Sequence, residues 1–387
     1  MKKILILGGG FAGVEAAIYL RKNNHQVTLV SQRDYFYIYP TSIWIPTGEK
    51  SREDVSIPLA SLAQAHGFEF VQKEIQEIKA KEKIAICTDG TKLDGYDALI
   101  IAIGHSKTKI EGMQEHTLSI CGEPEEAEMM RVKIEKLVQE GGGRIAFGFG
   151  GNPKDKSSVR GGPVFEVMFN VHNYLKKIGL RDKFELTFFA PMQKPGEKMG
   201  EKALVMMDKM LGMTKINKKV GSKITSFESD GILFEDGTKL NSDLTIFTAA
   251  GMGHDVFASS DLPLSDAGYI ITNEFNKVEG IEDVWAIGDS ALLLGSPEWK
   301  AKQGHVAEVM ARNVAHNITN PNDKKSYIDH LNILCVMDIG NGAAFVYRST
   351  KRAMMVPMPI IGHWIKLGWG WYCRNSKLGK IPRIPGM

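Results

Sequence analysis

The strongest constraint on this chain lies in its first thirteen residues, MKKILILGGGFAG. An apolar run from Lys3 to Leu7 enters Gly8, Gly10 and Gly13. A helical pattern follows from Val14 to Lys22, and a second apolar run spans Gln26 to Val30. Strand, glycine turn, helix and strand in this order predict a βαβ unit of the dinucleotide-binding type. The glycines have separate tasks: one makes the tight turn, one lets the backbone approach a pyrophosphate, and one lets helix pack on strand, while the helix N-terminus faces the phosphates. The acidic residue that usually holds a ribose hydroxyl after the second strand is absent. Ser31 or Gln32 stands there and binds a ribose less strongly. The two lysines ahead of the first run do not make it a signal peptide, because the run is short and no small-residue cleavage site follows.

The chain then repeats itself. CTDGTKLDGYDALIIAIG (Cys87 to Gly104) and FEDGTKLNSDLTIFTAAG (Phe234 to Gly251) share an Asp-Gly turn, a Thr-Lys-Leu strand start and an apolar strand ending in glycine. Asp89-Gly90 and Asp236-Gly237 read as hairpin turns, and each following strand returns to a parallel sheet. The duplication predicts an α/β chain with two Rossmann-like dinucleotide-binding domains in tandem. The first takes 1–115 and 270–325, the second takes 116–269, and a C-terminal region covers 326–387. The second copy has a strand, Arg144 to Phe147, then Gly148, Gly150 and Gly151. Pro153 occupies its last glycine position, and its helix is delayed to near Pro163. A loop interrupted in this way cradles a pyrophosphate poorly, so the second domain is expected not to bind NAD(P)H.

Composition removes other classes. With 43% hydrophobic and 24% charged residues over 387 positions, the chain is globular and long enough for two or three cores. A net charge of +3 from 48 basic and 45 acidic residues, without a basic run interleaved with aromatics, argues against nucleic acid as a partner. Four cysteines without C-x-x-C or Cys/His zinc spacing predict no metal site and no stapled scaffold. No stretch of 18 uncharged apolar residues offers a membrane-spanning helix.

Two further stretches carry chemistry. VWAIGDSALLL (Val284 to Leu293) ends a strand at Gly288-Asp289 ahead of a helix, placing a carboxylate where sugar-like hydroxyls can donate to it. The plainer reading of Asp289 is a helix cap. NILCVMDIGN (Asn332 to Asn341) sets Cys335 in a strand-like run that turns at Gly340. Taken alone, such a cysteine is a buried hydrophobe, as Cys87 is in KIAICTDG, while Cys373 among Trp371, Tyr372 and Arg374 reads as accessory.

The GGGFAG of Gly8 to Gly13, ALIIAIG, the AIGD of Ala286 to Asp289 and the KQGHVAEVMARN of Lys302 to Asn313, in that order and spacing, resemble the two-dinucleotide-binding-domain flavoproteins. Cys121 in LSICGEPEEAE, the GGPVFE of Gly161 to Glu166, Cys335 in LCVMDIGN and the ending GHWIKLGWGWYCRNSKLGKIPRIPGM resemble the sulfide:quinone oxidoreductases and flavocytochrome c sulfide dehydrogenases among them. The resemblance implies FAD, with Gly8, Gly10 and Gly13 at its pyrophosphate, Ser31 facing the adenosine ribose and Ile75 near the adenine. Pro40, Thr41, Ala102, Gly104, Gly288 and Asp289 would line the rest of the flavin. Lys302 and Gly304, opening a helix, would sit by its pyrimidine end, where positive charge favours the reduced form.

The same resemblance implies a Cys121/Cys335 redox disulfide against the flavin. Hydrosulfide attacks one sulfur, the other leaves as a thiolate, and two electrons pass on. Cys335 corresponds to the sulfur nearest the flavin and Cys121 to the one that carries the persulfide, with the order of attack left open. Glu166 is the candidate for proton transfer. This sequence departs from the group in two places. The stretch NPKDKSSVRGGPVFE has Ser157 and Ser158 but not the third cysteine many members carry, which puts their polysulfide-building cycle in doubt, and RDYFYIYPTS lacks the cysteine that attaches FAD covalently in the flavocytochromes.

The tail bears on the electron acceptor. Ile361, Trp364, Ile365, Leu367, Trp369 and Trp371 mix with Lys366 and Arg374, and Lys377, Lys380 and Arg383 follow. Tryptophan with cations on a stretch too short to span fits an amphipathic membrane-docking region, although three glycines weaken the helix, and a dimer interface or a core-covering helix would use the same residues. The expectation is a peripheral protein of a prokaryotic cytoplasmic membrane that takes sulfide and reduces a membrane quinone, with Phe345, Ile361 and Trp364 in the quinone pocket. A homo-oligomer is left open. The alternatives are a flavoprotein handing electrons to a cytochrome and a type II NADH:quinone oxidoreductase.

Overall fold

The computed structural model describes residues 1–295 and 297–384; position 296 and the last residues of the tail quoted above, 385–387, lie outside the described residues. The chain opens with β1 (Lys3–Leu7), α1 (Phe11–Lys22), β2 (Gln26–Ser31), β3 (Glu69–Gln72) and β4 (Ala98–Ile101). There follow β5 (Thr117–Leu118), α2 (Pro124–Gln139), β6 (Gly143–Phe149), α3 (Gly162–Lys177), β7 (Phe184–Ala190), β8 (Asn217–Val220) and β9 (Leu244–Thr248). The chain then runs through β10 (Val284–Ala286) and α4 (Gly304–Thr319), and ends in β11 (Ile333–Asp338), β12 (Gly342–Arg348), β13 (Ala353–Pro359) and α5 (Ile361–Lys377).

The first sheet has the order β10-β4-β1-β2-β3, with every neighbour parallel. A parallel sheet is covered on both faces, so its strands read as unbroken apolar runs. In β1, Ile4 and Ile6 pack into the cluster of Val14, Ile18, Met310 and Val314 on α1 and α4. Leu5 and Leu7 pack on the other face with Val30, Ile78, Ala85 and Ile101. Burying each such side chain favours folding by about 1.5–3 kcal/mol. Helix α1 begins three residues earlier than its apolar pattern predicts, which places Gly13 in the first turn. A Cβ there would lie 1.8 Å from the Gly8 carbonyl oxygen, so only glycine lets the helix approach the strand this closely.

The second sheet, β5-β9-β6-β7-β8, is also parallel throughout. Both predicted hairpins form, Ile84–Cys87 with Lys92–Leu93 and Gly231–Phe234 with Lys239–Asn241. Under α3, Phe165 stacks on Phe188 with ring centroids 4.8 Å apart and fixes the helix that carries Glu166. The long helix expected after Gly288-Asp289 is a single 3-10 turn, Gly288–Ser290, and the helix proper waits until Gly304. Asp289 therefore caps no long helix.

A third, antiparallel sheet, β11-β12-β13, places Cys335 opposite Val346 and is covered by α5. Helix α5 corrects the reading of the tail. Gly362 and Gly370 are points of close approach, where a Cβ would come within 2.6 Å of Ala343 and Thr41 respectively, so these glycines serve helix packing. Four of the five cations expected to face lipid turn inward, and Lys380 stays exposed. Lys366 is buried against Glu166, and Lys377 is buried between Glu15 (3.0 Å) and Glu308 (2.7 Å). Arg374 donates to the backbone carbonyls of Glu53 and Ser56, and Arg383 pairs with Glu15 at 2.6 Å. Burial pushes the Glu15 carboxyl up, but Lys377, Arg383 and Arg312 outweigh it and hold it at about 2. The exposed face of α5 is apolar: Ile361, Trp364, Ile365 and Trp371.

Candidate active site

Ligands of open parallel sheets bind beyond the carboxyl ends of the strands. Here those ends, at Gly8 to Gly10, Ala102 to His105, Gly288-Asp289 and Phe149 to Gly151, open into one cavity of about 2100 Å³. A drug-sized ligand needs roughly 300–1,000 Å³, so the cavity has room for a dinucleotide and a reaction chamber. Cys121, Glu166, Cys335, Phe345 and Lys366 line it as well.

The residues on the first domain's side suit FAD. Gly8 takes φ +112°, and a Cβ on it would meet the Ala102 carbonyl oxygen at 2.2 Å. Gly10 has open space where a Cβ would stand, which is what close approach of a pyrophosphate requires. Ser31, Gln32, Pro40, Ile75, Ala102, Gly104, Gly288, Asp289, Lys302 and Gly304 all line the cavity, and the first turn of α4 opens onto it. Gly13 and Thr41 do not line it; Gly13 packs behind Gly8, and Thr41 is buried under Gly370. The Lys302 ammonium donates to the carbonyl oxygens of Asp289 (3.4 Å) and Ala291 and lies 3.9 Å from the centroid of the Tyr269 ring. Burial brings its pKa down to about 7.

Cys121 lies between β5 and α2, two residues before the N-cap of α2, and Cys335 lies on β11. Both are free thiols. Their surroundings have opposite sign. Burial raises the Cys121 thiol, but Arg160, Lys107 and the Thr248 hydroxyl oppose the rise. Burial and then the neighbouring Glu166 carboxyl push Cys335 up to about 12, opposed only by Lys366. The Glu166 carboxyl, raised by burial and held back by Lys366, accepts from the Lys366 ammonium and from the Asp338 backbone N–H at 2.7 Å. Asp338, fully buried, accepts from Asn170 Nδ2 at 3.0 Å, and His363 Nδ1 lies 2.7 Å from its Oδ2. His363 Nε2 in turn lies 2.9 Å from the half-exposed Glu49. The network locks α5 onto the strand that carries Cys335.

Sequence reasoning missed two of these residues. Arg160, two residues before α3, pairs with Asp289, and no periodic pattern singled it out. Lys366 was read as a lipid-facing cation. Placed at 100° per residue, however, it shares a helix face with Gly362, Cys373 and Lys377, opposite Trp364 and Trp371, and that spacing was the available signal. The expected quinone residues separate. Phe345 lines the cavity, whereas Ile361 and Trp364 are 60% and 66% exposed on the outer face of α5. From the same helix Trp369, Tyr372 and the part-exposed Ile365, at the edge of the outer face, line the cavity.

Comparison with known proteins agrees with this architecture. The family model described as pyridine nucleotide-disulphide oxidoreductase matches residues 2–315. The sulfide-quinone reductase of Aquifex aeolicus (strain VF5) is 25% identical over 97% of this chain and 92% of its own length. The X-ray structure of the sulfide:quinone oxidoreductase from Aquifex aeolicus superposes with a TM-score of 0.87, covering 98% of this chain and 92% of that one. A type II NADH:quinone oxidoreductase of Staphylococcus saprophyticus (strain ATCC 15305) is 22% identical over 89% of this chain and 90% of its own. The Plasmodium falciparum NDH2 in complex with NADH, 14% identical over 100% of this chain and 99% of its own, shares the fold at a TM-score of 0.76.

Proposed function

Because this chain belongs to the pyridine nucleotide-disulphide oxidoreductase family, as a flavin-dependent oxidoreductase with FAD as its cofactor, we propose that it oxidises sulfide at Cys121 and Cys335 and passes the electrons to a membrane quinone. The observation that carries this reading is the pair of cysteines of opposite electrostatic setting lining one cavity with Glu166 and the flavin-binding elements. FAD supplies a two-electron acceptor that can then reduce a quinone.

The oxidised resting pair is a Cys121–Cys335 disulfide. Hydrosulfide, an anion, is drawn to Cys121 by Arg160 and Lys107 and repelled from Cys335 by Glu166. A new S–S bond forms on Cys121, the bond to Cys335 breaks, and the electron pair leaves on Cys335. Cys335 holds that electron pair in the chamber, where bound FAD would supply its two-electron acceptor. Glu166, raised above the ordinary carboxylate range, takes up and releases the accompanying proton at Oε1, where Lys366 and the Asp338 N–H hold it. On the far side, Phe345, Ile365 and Trp369 offer an apolar wall for a quinone ring.

The test is an anaerobic titration of the purified flavoprotein. Stoichiometric sulfide should bleach the flavin absorbance, NADH should leave it unchanged, and a quinone analogue should restore it. Bleaching by NADH and not by sulfide would assign the chain to NADH oxidation and the cysteines to structure.

Membrane docking belongs to the same reading. Among the described residues no helix is long and apolar enough to cross a bilayer. The outer face of α5 with Met354 and Val356 of β13 is an exposed apolar surface of the kind that rests on lipid. The double variant Trp364→Ser/Trp371→Ser should bind vesicles about tenfold more weakly or worse, the effect of roughly 1.4 kcal/mol of lost apolar burial. With Lys366 and Lys377 turned inward, wild-type binding should depend only weakly on anionic lipid. Co-sedimentation with neutral and anionic vesicles checks both, and unchanged binding by the double variant would place the docking face elsewhere.

A further inference from the structure

The loop after β6 takes a different course from the glycine loop after β1. Gly8 to Gly13 leads straight into α1, whereas the chain from Asn152 to Arg160 leaves the second sheet and crosses to the first domain's elements. The Lys302 backbone N–H donates to the Ser157 carbonyl oxygen at 3.0 Å, and the Lys198 ammonium donates to the Lys156 carbonyl. The loop supports its own path, since the Asp155 carboxylate accepts from the Ser157 N–H and the Ser158 hydroxyl donates to the Asp155 carbonyl, both at 2.8 Å. Its last residue, Arg160, thereby enters the cavity between Asp289 and Cys121.

One donor at this place has no partner: the Arg160 Nε–H is buried without a hydrogen bond. A buried donor left unmade costs about 1–3 kcal/mol, a penalty that a ligand at this place would remove. The local charges say which sign it has. One Arg160 nitrogen is occupied by Asp289, which His105 Nε2 approaches at 3.8 Å, and Lys107 beside it is 3.7 Å from Glu126. Of the carboxylates lining the cavity, Asp289 is paired with Arg160 and Glu126 faces Lys107, while Glu166 stands at Cys335.

We propose that Arg160 is the anion-holding residue of this site: its free Nε–H, beside Cys121, binds a small sulfur monoanion, hydrosulfide on entry and the Cys121 persulfide after attack. The interrupted glycine loop has thus exchanged dinucleotide binding for delivery of a guanidinium to the flavin chamber. This assignment rests on the sulfide reading above and specifies where the anion sits and which sulfur it meets.

Azide, an unreactive monoanion, probes the site without requiring turnover. Titrated into the oxidised holoenzyme in chloride-free buffer, it should give a saturable change in flavin absorbance. Arg160→Met should weaken binding about tenfold to a hundredfold, the value of a charge-assisted hydrogen bond, with flavin content unchanged. Arg160→Lys keeps the charge but loses the Nε–H, and should weaken it about threefold to tenfold; this variant decides the matter if Arg160→Met fails to retain flavin. No saturable azide effect in the wild type, or wild-type affinity in the Lys variant, overturns the proposal. Failure of sulfide to bleach the wild-type flavin overturns the sulfide reading instead and leaves the azide result standing.

Discussion

Replacing Cys335 by serine is expected to stop sulfide from reducing the flavin, with a rate loss on the order of 10³-fold or more, the scale set by removing a reacting nucleophile. The hydroxyl cannot form the bridging bond to Cys121, and it cannot leave with the electron pair. Cys121→Ser should fail as fully, because the two sulfurs act as one unit. Cys373→Ser should not: Cys373 is buried on the inner face of α5 outside the cavity, and its thiol is pushed up to about 12 chiefly by burial. Anaerobic stopped-flow mixing with sulfide measures all three. A Cys335→Ser protein that bleaches within tenfold of the wild-type rate would remove the disulfide from the mechanism.

The second large effect concerns Lys366. Removing one partner of a buried ion pair costs about 3–5 kcal/mol, since the other charge is left without compensation. Lys366→Met should therefore destabilise the holoenzyme by that order, read as flavin release during urea unfolding. The pH dependence has a definite sign. A carboxyl whose folded-state pKa is raised contributes stability that is present below its unfolded value and lost as pH rises through the raised one. Lys366 is the main influence holding the Glu166 rise in check, so its removal widens that window, and the variant should lie closer to wild type at pH 5 than at pH 8. The double variant Glu166→Gln/Lys366→Met should recover most of the stability, because neither charge is then buried alone. Its sulfide-dependent bleaching should stay slow, because no proton carrier remains beside Cys335. Recovery of both would reduce the pair to a structural role.

These two residues also mark where the sequence was legible. Cys335 was visible because a strand and its turn are local patterns, and the resemblance to sulfide-oxidising flavoproteins supplied its partner. Lys366 departs from the expectation because the tail's mixture of tryptophans, cations and glycines fits a lipid-facing helix and a core-covering one alike. A lysine beside tryptophans looks lipid-facing until the 3.6-residue period places it on the opposite side of the helix. Phe345, Ile361 and Trp364 were grouped by apolarity, and only the packing of α5 on β12 separated the one that faces the cavity from the two that face out.

What the sequence determined by itself was the architecture around β1. The turn at Gly8, the helix on Gly13 and the two parallel sheets follow from short-range rules: glycine where a Cβ would clash, and unbroken apolar runs where both faces are covered. What only the tertiary structure decided was the electrostatics of the chamber. Arg160 at Asp289, Glu166 at Lys366 and Glu15 at Lys377 join residues 129, 200 and 362 positions apart. Whether a charged side chain meets water, lipid or a buried counter-charge depends on what the fold brings opposite it, and no local pattern in the chain records that.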